Sequence, residues 1–488
     1  MKAQILKLGK DSVIYGFGTV ATRVLALLLL PLFTAYLTPG DYGALALAMM
    51  LGQVVQPVFA LGLGAGMGPS YYDGDNEERK AATVWTAFAV LVLSSAVLML
   101  AAVMASDLIG RQLLGGEGHT SVVLLALAAV AVNNLATPFT LRLQFENRAS
   151  QFVVVTVVST LVTFAVSVLT VVFWGQGVLG MLQGQLAGQA AGMLLSLCLV
   201  ARTLRFVRPT QQIAAALMRT SLPLMPSFAF LFVILHGNKY FLSELSGLEP
   251  VGIYSVGFSI GMAISVVVGA VQTAWYPYFM SYANRQQEAP ALFSRILTYY
   301  TFVVGGIALL FFVFARPTVH LLTQDAFHDS YRVVGLVAAS QFLVGMFSLL
   351  LPPLYFAAEV KYVSIVQCVA AVVLCVMSLL LIPPFGYVGA ALALLLACLT
   401  MVLTLAVWNR RRAGKYLQIT FDRARVLPFA AFGAVIGAVL LLPFPFIWWQ
   451  QVLAVLLGSS AVVACVLLLL GKGERDALRQ LALGRRPV

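Results

Sequence analysis

The sequence predicts an all-α polytopic membrane protein with about 14 transmembrane helices. Three observations carry this. Hydrophobic residues make up 61% of the 488 positions and charged residues only 10%, against about 25% charged in a soluble domain. The apolar residues fall into runs of spanning length, about 20 residues each. The Lys and Arg residues collect in alternate loops, as the positive-inside rule requires.

The apolar segments run roughly over 12–37, 42–67, 81–105, 120–141, 151–174, 178–201, 220–244, 251–274, 293–315, 331–357, 361–382, 386–408, 426–447 and 449–470, followed by a polar tail at 471–488. The intervals between them are too short for a soluble catalytic domain or a nucleotide-binding fold. The basic N-terminal stretch MKAQILKLGKDS leads into a full-length span with no A-x-A cleavage site, which reads as an uncleaved first helix. The five cysteines, Cys198, Cys368, Cys375, Cys398 and Cys465, all lie in apolar segments without a CxxC pair. They read as small buried hydrophobes, with no metal site or disulfide framework.

With the N-terminus in the cytoplasm, the inside loops hold 25 of the 30 cations, and the outside loops hold only Arg111, Arg316 and Arg332. Both termini are then cytoplasmic. The net charge of +12 follows from this bias and needs no nucleic-acid partner. The run Arg410–Arg412 reads as an anchor beside anionic lipid headgroups.

The first span leads into a stretch read as a tight turn, Thr38-Pro39-Gly40-Asp41, and then Gly43. L-T-P-G-D-Y-G ending at Gly43 has a counterpart in L-S-G-L-E-P-V-G ending at Gly252, an offset of 209. Gly177-Val178-Leu179-Gly180, between segments 5 and 6, recurs as Gly386-Tyr387-Val388-Gly389 between segments 11 and 12, at the same offset. Six spans per repeat is an even number, so both halves share one orientation. That makes a parallel repeat about an axis along the membrane normal. The expected division is 1–210, 211–415, and 416–488 for two extra helices and the tail. Prolines inside spans, such as Pro31, Pro57, Pro138 and Pro352, bend helices. They serve either as hinges or as the ordinary proline complement of membrane helices.

None of the 18 carboxylates lies in mid-span by this segmentation. Two cations do lie within spans. Arg23 sits near the middle of the first segment, where insertion costs about 2.5–3.5 kcal/mol. Lys239 lies toward the outer end of segment 7, with His236 one turn earlier and Asn238 adjacent. The first helix of each half thus carries a cation without an acidic partner in the spans. An anionic substrate is a fitting partner, and the planar fork of arginine suits phosphate. Other readings stand beside this one. Lys239 is close enough to the surface to snorkel. Arg23 fits a tie to backbone carbonyls, and His236 fits a hydrogen-bonded core residue. Arg142 and Arg148, after segment 4, are either headgroup anchors or a site that receives substrate phosphate. Asn133, Asn134 and Gln272 read as interhelical glue. No Walker A, HExxH or G-x-S-x-G motif is present, and no cofactor is expected.

The stretches LPLFTAYLTPGDYGALAL, TSLPLMPSFAFLFVILHGNKYFLSELSGLEPVGIYSVGFSIG and SLLLIPPFGYVGAALALLLA together resemble the bacterial polysaccharide-transporter family of oligosaccharide flippases. That family belongs to the multidrug/oligosaccharidyl-lipid/polysaccharide exporter superfamily. The resemblance covers essentially the whole chain. It implies two six-helix lobes around a V-shaped cavity, plus two extra helices. It also implies a substrate of oligosaccharide on undecaprenyl pyrophosphate, moved from the inner to the outer leaflet of the bacterial plasma membrane for surface polysaccharides such as O-antigen. Membrane lipids, a polysaccharide polymerase and a coupling proton or sodium ion are the implied partners. The family often carries Asp-Arg where this chain has Asn238-Lys239, so the positive charge is kept and the negative one lost. The rival readings are a multidrug or cation antiporter and a lipid II flippase of the same superfamily. A third, a membrane-embedded polymerase or glycosyltransferase, needs an outer loop or acidic site that is not visible.

Overall fold

The computed structural model describes residue 18 and residues 20–469, apart from 74–75, 115–118, 147, 223–224, 283–284, 286, 288, 358, 360, 413–416, 420–422 and 442–447. The N-terminal stretch read as uncleaved and the polar tail lie outside the described residues. All regular structure among the described residues is helical. The order is α1 (Val20–Tyr36), α2 (Pro39–Phe59), α3 (Leu63–Tyr72), α4 (Glu77–Leu114), α5 (Thr120–Phe145), α6 (Ala149–Phe173), α7 (Gly177–Ala201), α8 (Gln211–Ser221), α9 (Met225–Ser246), α10 (Leu248–Met280), α11 (Ala289–Leu322), α12 (Asp325–Phe356), α13 (Lys361–Arg411), α14 (Arg423–Leu441) and α15 (Trp448–Leu469). Nine of these described helices are long and apolar enough to cross a membrane. One of the nine, α13, holds both expected segments 11 and 12, divided where Gly386 takes φ 55° and ψ −132°.

Two local expectations change. The stretch 38–41 is the first turn of α2. The Thr38 hydroxyl accepts from the Asp41 N–H at 3.2 Å, and the Asp41 carboxylate accepts from the Thr38 N–H at 2.9 Å and from its hydroxyl at 2.7 Å. Pro39 takes the position where its missing N–H is no loss. The expected single segment 42–67 is broken in two. Leu61 and Gly62 both have positive φ, 53° and 67°, and the chain restarts as α3. Glycine accepts that backbone freely, whereas a branched residue there is strained.

The chain divides into two compact units. The first comprises Met1–Ser255 with Leu322–Ala326 and Leu374–Ala390, and the second comprises Val256–Leu321, Phe327–Val373 and Ala391–Val488. In the first unit the two repeated turns meet. A Cβ on Gly43 would collide with the carbonyl of Leu248, and a Cβ on Gly252 with the carbonyl of Pro39. Residue 248 is 209 positions after 39, and 252 is 209 after 43. The contact is therefore reciprocal, as in an isologous two-fold interface. The other repeat agrees. Gly177 and Gly386 have φ of 53° and 55°; Gly180 presses against the end of α6 at Thr170 and Val171, and Gly389 against the Leu381 carbonyl across the kink within α13. Helices α6 and α7 pack through small residues. Ser159 donates to the Gly188 carbonyl at 2.7 Å, and Thr170 donates to the Gly180 carbonyl at 2.9 Å. Helix α4 turns Leu93, Leu100 and Met104 outward, each more than 60% exposed.

In the second unit, Gly257 and Gly261 of α10 let α12 approach at Ser330 and Val334. The Tyr300 ring stacks on Phe342 at 5.5 Å and donates its hydroxyl to the Phe342 carbonyl at 3.0 Å. Gln272 donates to the Ser348 hydroxyl at 2.7 Å, so this side chain links helices as expected. Arg412 lies over Trp408 at 4.8 Å and meets Glu359 at 3.4 Å.

The reciprocal turn contact predicts that Gly43→Ala and Gly252→Ala each cost about 1–3 kcal/mol, read as a lower melting temperature of the purified protein. Gly40→Ala lies on the same first turn, but its Cβ meets only the Thr38 hydroxyl at 3.8 Å. It leaves the melting temperature within the scatter of wild type.

Candidate functional site

Helix α9 opens the second sequence repeat and packs along α2. Its three candidate residues occupy different environments. Asn238 is fully buried and donates through Nδ2 to the Tyr254 hydroxyl at 2.6 Å and the Ala390 carbonyl at 3.2 Å. It ties α9 to α10 and to the middle of α13. Lys239 is 8% exposed, so its stem packs within protein. His236 is half-buried, with its ring 5.3 Å from that of Phe232.

Arg23 lies on α1 and is partly exposed. It makes no hydrogen bond or ion pair among the described residues. The neighbouring helix α6 comes close at Gly18, whose Cβ would touch Val153 at 3.1 Å. Gly18, five residues before the arginine, thus lets the chain approach α6 closely.

Arg142 and Arg148 converge on one carboxylate. Arg142 Nε donates to Glu146 Oε1 at 2.6 Å and Arg148 Nε to Glu146 Oε2 at 2.8 Å. Arg142 reaches Glu146 because i and i+4 share a helix face. The Tyr71 hydroxyl donates to the same carboxylate at 3.2 Å, and the Tyr72 hydroxyl to the Phe145 carbonyl at 3.0 Å. Burial, then the Glu146 charge, push the Tyr71 phenol above its ordinary pKa, so it remains a donor at neutral pH. The Arg142 side chain is only 3% exposed, and its Nη1 finds no hydrogen-bond partner among the described residues. Two guanidiniums on one carboxylate leave the cluster with one net positive charge.

The structure adds a feature the sequence reading missed. Helices α2, α5 and α7 line a half-open pocket of about 140 Å³ that holds Gln53, Gln56, Asn133, Gln185 and Gln189, with Ala, Gly, Met and Val completing the wall. None of these five carboxamides makes a side-chain hydrogen bond among the described residues, and Gln185 Oε1 is buried. Asn134, fully buried beside Asn133, is likewise without a side-chain partner among the described residues. Neither asparagine therefore acts as the interhelical link that the sequence suggests. The signal was present in the sequence. Gln53 and Gln56 are spaced i, i+3 and Gln185 and Gln189 i, i+4, so each pair shares one face of an otherwise apolar span. Among the described residues, no group of three or more His, Cys, Asp or Glu is placed to hold a metal ion.

Glu146→Gln strands two guanidiniums, one of them buried. Removing one partner of a buried ion pair costs about 3–5 kcal/mol, so the melting temperature falls sharply. Adding Arg142→Met to that variant recovers part of the loss, and Tyr71→Phe costs about 1 kcal/mol. Thermal unfolding of wild type, Glu146→Gln, Arg142→Met and their combination closes a double-mutant cycle that checks the first two values, and Tyr71→Phe is read against wild type.

Comparison with known proteins places this architecture. Three solved structures share the fold. A lipid II flippase, MurJ, in an inward closed conformation aligns with TM-score 0.72 and 13% identity over 97% of this chain and 100% of its own. A multidrug resistance MATE family transporter of the MOP superfamily, inward-facing, aligns with TM-score 0.66 and 14% identity over 84% of this chain and 98% of its own. A MOP superfamily transporter from Pyrococcus furiosus, described as having a binding pocket of reverse polarity, aligns with TM-score 0.59 and 14% identity over 84% and 95%. No curated protein sequence matches. The chain therefore carries the helical fold of MOP-superfamily transporters. The sequence profile of the polysaccharide biosynthesis protein family matches residues 8–283, more than half of the chain, and with the multi-pass helical build this makes the protein a membrane-embedded member of that family.

Proposed function

We propose that the protein is a flippase that moves undecaprenyl-pyrophosphate-linked oligosaccharide repeat units from the inner to the outer leaflet by alternating access. The observation that carries this reading is membership of a polysaccharide biosynthesis family by a chain built of membrane-spanning helices. In polysaccharide assembly, such a chain is suited to carrying a lipid-linked intermediate across the bilayer. Arg23 neutralises the pyrophosphate, aided by Lys239. Arg142 and Arg148, held on Glu146, keep one net positive charge available to attract the headgroup. His236 and Asn238 support Lys239 from the same helix. The carboxylates support the reading by where they lie: Asp41 caps α2, Asp107 pairs with Arg111 at 3.0 Å, and Glu146 holds its two arginines. None of these is free to serve as a cation-drug site. The lobes are residues 1–210 and 211–415, with 416–488 appended. The protein sits in the inner membrane with both termini cytoplasmic, beside a polymerase, and draws on a proton or sodium gradient.

Deleting the gene in its host tests this. Intact lipid-linked repeat units accumulate on the inner leaflet, read with a membrane-impermeant sugar-modifying reagent, and the wild-type gene reverses the effect. Arg23→Ala slows transfer by at least about tenfold, and Arg23→Lys is intermediate because a point charge replaces a bidentate fork. Full complementation by both variants overturns the role of Arg23. Normal lipid-linked sugars with altered drug sensitivity point to a multidrug exporter, and accumulated peptidoglycan precursor points to a lipid II flippase.

A further inference from the structure

We infer that the carboxamide-lined cavity of the first unit is a saccharide subsite, recognising one sugar residue of the lipid-linked substrate separately from its pyrophosphate. The inference rests on the flippase reading and assigns part of that substrate to named side chains. Five carboxamides from three helices surround about 140 Å³, with no charged side chain and no aromatic ring among the lining residues. That chemistry excludes the pyrophosphate, which calls for cations. A dehydrated divalent metal is also disfavoured, since it calls for carboxylates.

Each carboxamide offers one acceptor and two donor hydrogens, a set matched to hydroxyl and acetamido groups. Uncommitted amides are costly inside a helical bundle unless water or a ligand satisfies them. Here none of the five is committed to another described side chain or backbone group, and Gln185 Oε1 is buried. Size agrees. Water occupies about 30 Å³ per molecule in the liquid, so the cavity holds a few waters or one pyranose ring. Drug-sized pockets begin near about 300 Å³. Small residues, Ala48, Gly52, Ala126 and Ala129, keep the space open. Water fills the subsite at rest, and sugar hydroxyls displace it on binding.

The test uses the full-length protein in lipid nanodiscs and two probes of equal chain length, a polyprenyl pyrophosphate and its N-acetylglucosamine conjugate. Wild type binds the conjugate about tenfold more tightly than the bare lipid. Gln185→Leu with Gln189→Leu abolishes that preference while leaving bare-lipid affinity within about twofold. Gln53→Met, at an exposed position, lowers the preference independently of any folding defect in the double variant. Retention of the preference in both variants overturns the inference, and so does equal loss of affinity for both probes. Wild type that binds both probes without preference also overturns it and leaves the flippase reading intact. Wild type that binds neither probe removes the flippase reading, and the subsite with it.

Discussion

Hydrocarbon offers a peptide group no water to bond to, so each N–H and C=O within the bilayer must be satisfied inside the protein. The rest of this structure depends on that constraint. It explains why the described residues form helices, why connections such as Leu37–Thr38 are short, and why helix ends carry caps as complete as the Thr38–Asp41 box. It also shapes helix packing. Apolar burial drives association weakly when lipid is as apolar as leucine, so contacts rely on close backbone approach. Glycine and serine serve this in α6 and α7, and glycine alone at the turns that meet around Gly43 and Gly252.

The same constraint sorts the polar side chains. Those with partners hold the fold: Asn238 spans three helices, Gln272 reaches Ser348, and Glu146 gathers two arginines and a tyrosine. Those left uncommitted, Arg23 and the carboxamides around the cavity, carry a solvation cost that fold alone does not explain. Strongly polar groups without structural duties inside membrane helices mark candidate functional positions.

Much of this was legible in sequence, and for physical reasons. Spanning length sets segment length, and the positions of Lys and Arg set an expected orientation. A repeat offset of 209 shows because glycine is irreplaceable at a positive φ, as at 177 and 386, and where a carbonyl lies against the α-carbon, as at 43 and 252. The break at Leu61–Gly62 was not legible, because its apolar composition matches a continuous helix. Arg142 and Arg148 read as headgroup anchors or a phosphate site, and their convergence on Glu146 was not legible because it depends on three side chains meeting in space. The glutamines were each too ordinary to notice. Their significance lies in three helices turning them toward one volume.

The reciprocal contact between the two halves has a consequence for how such a chain arises. Two separate half-length chains would have to find each other in the membrane and pair through that face, at a yield set by their abundance. Joining them end to end replaces the association step with tethering, at an effective concentration in the millimolar range. Once tethered, the halves are free to diverge, since neither must pair with a copy of itself. A lone Arg23 in one and an Asn238-Lys239 pair in the other are differences of the kind a symmetric dimer of identical chains cannot hold.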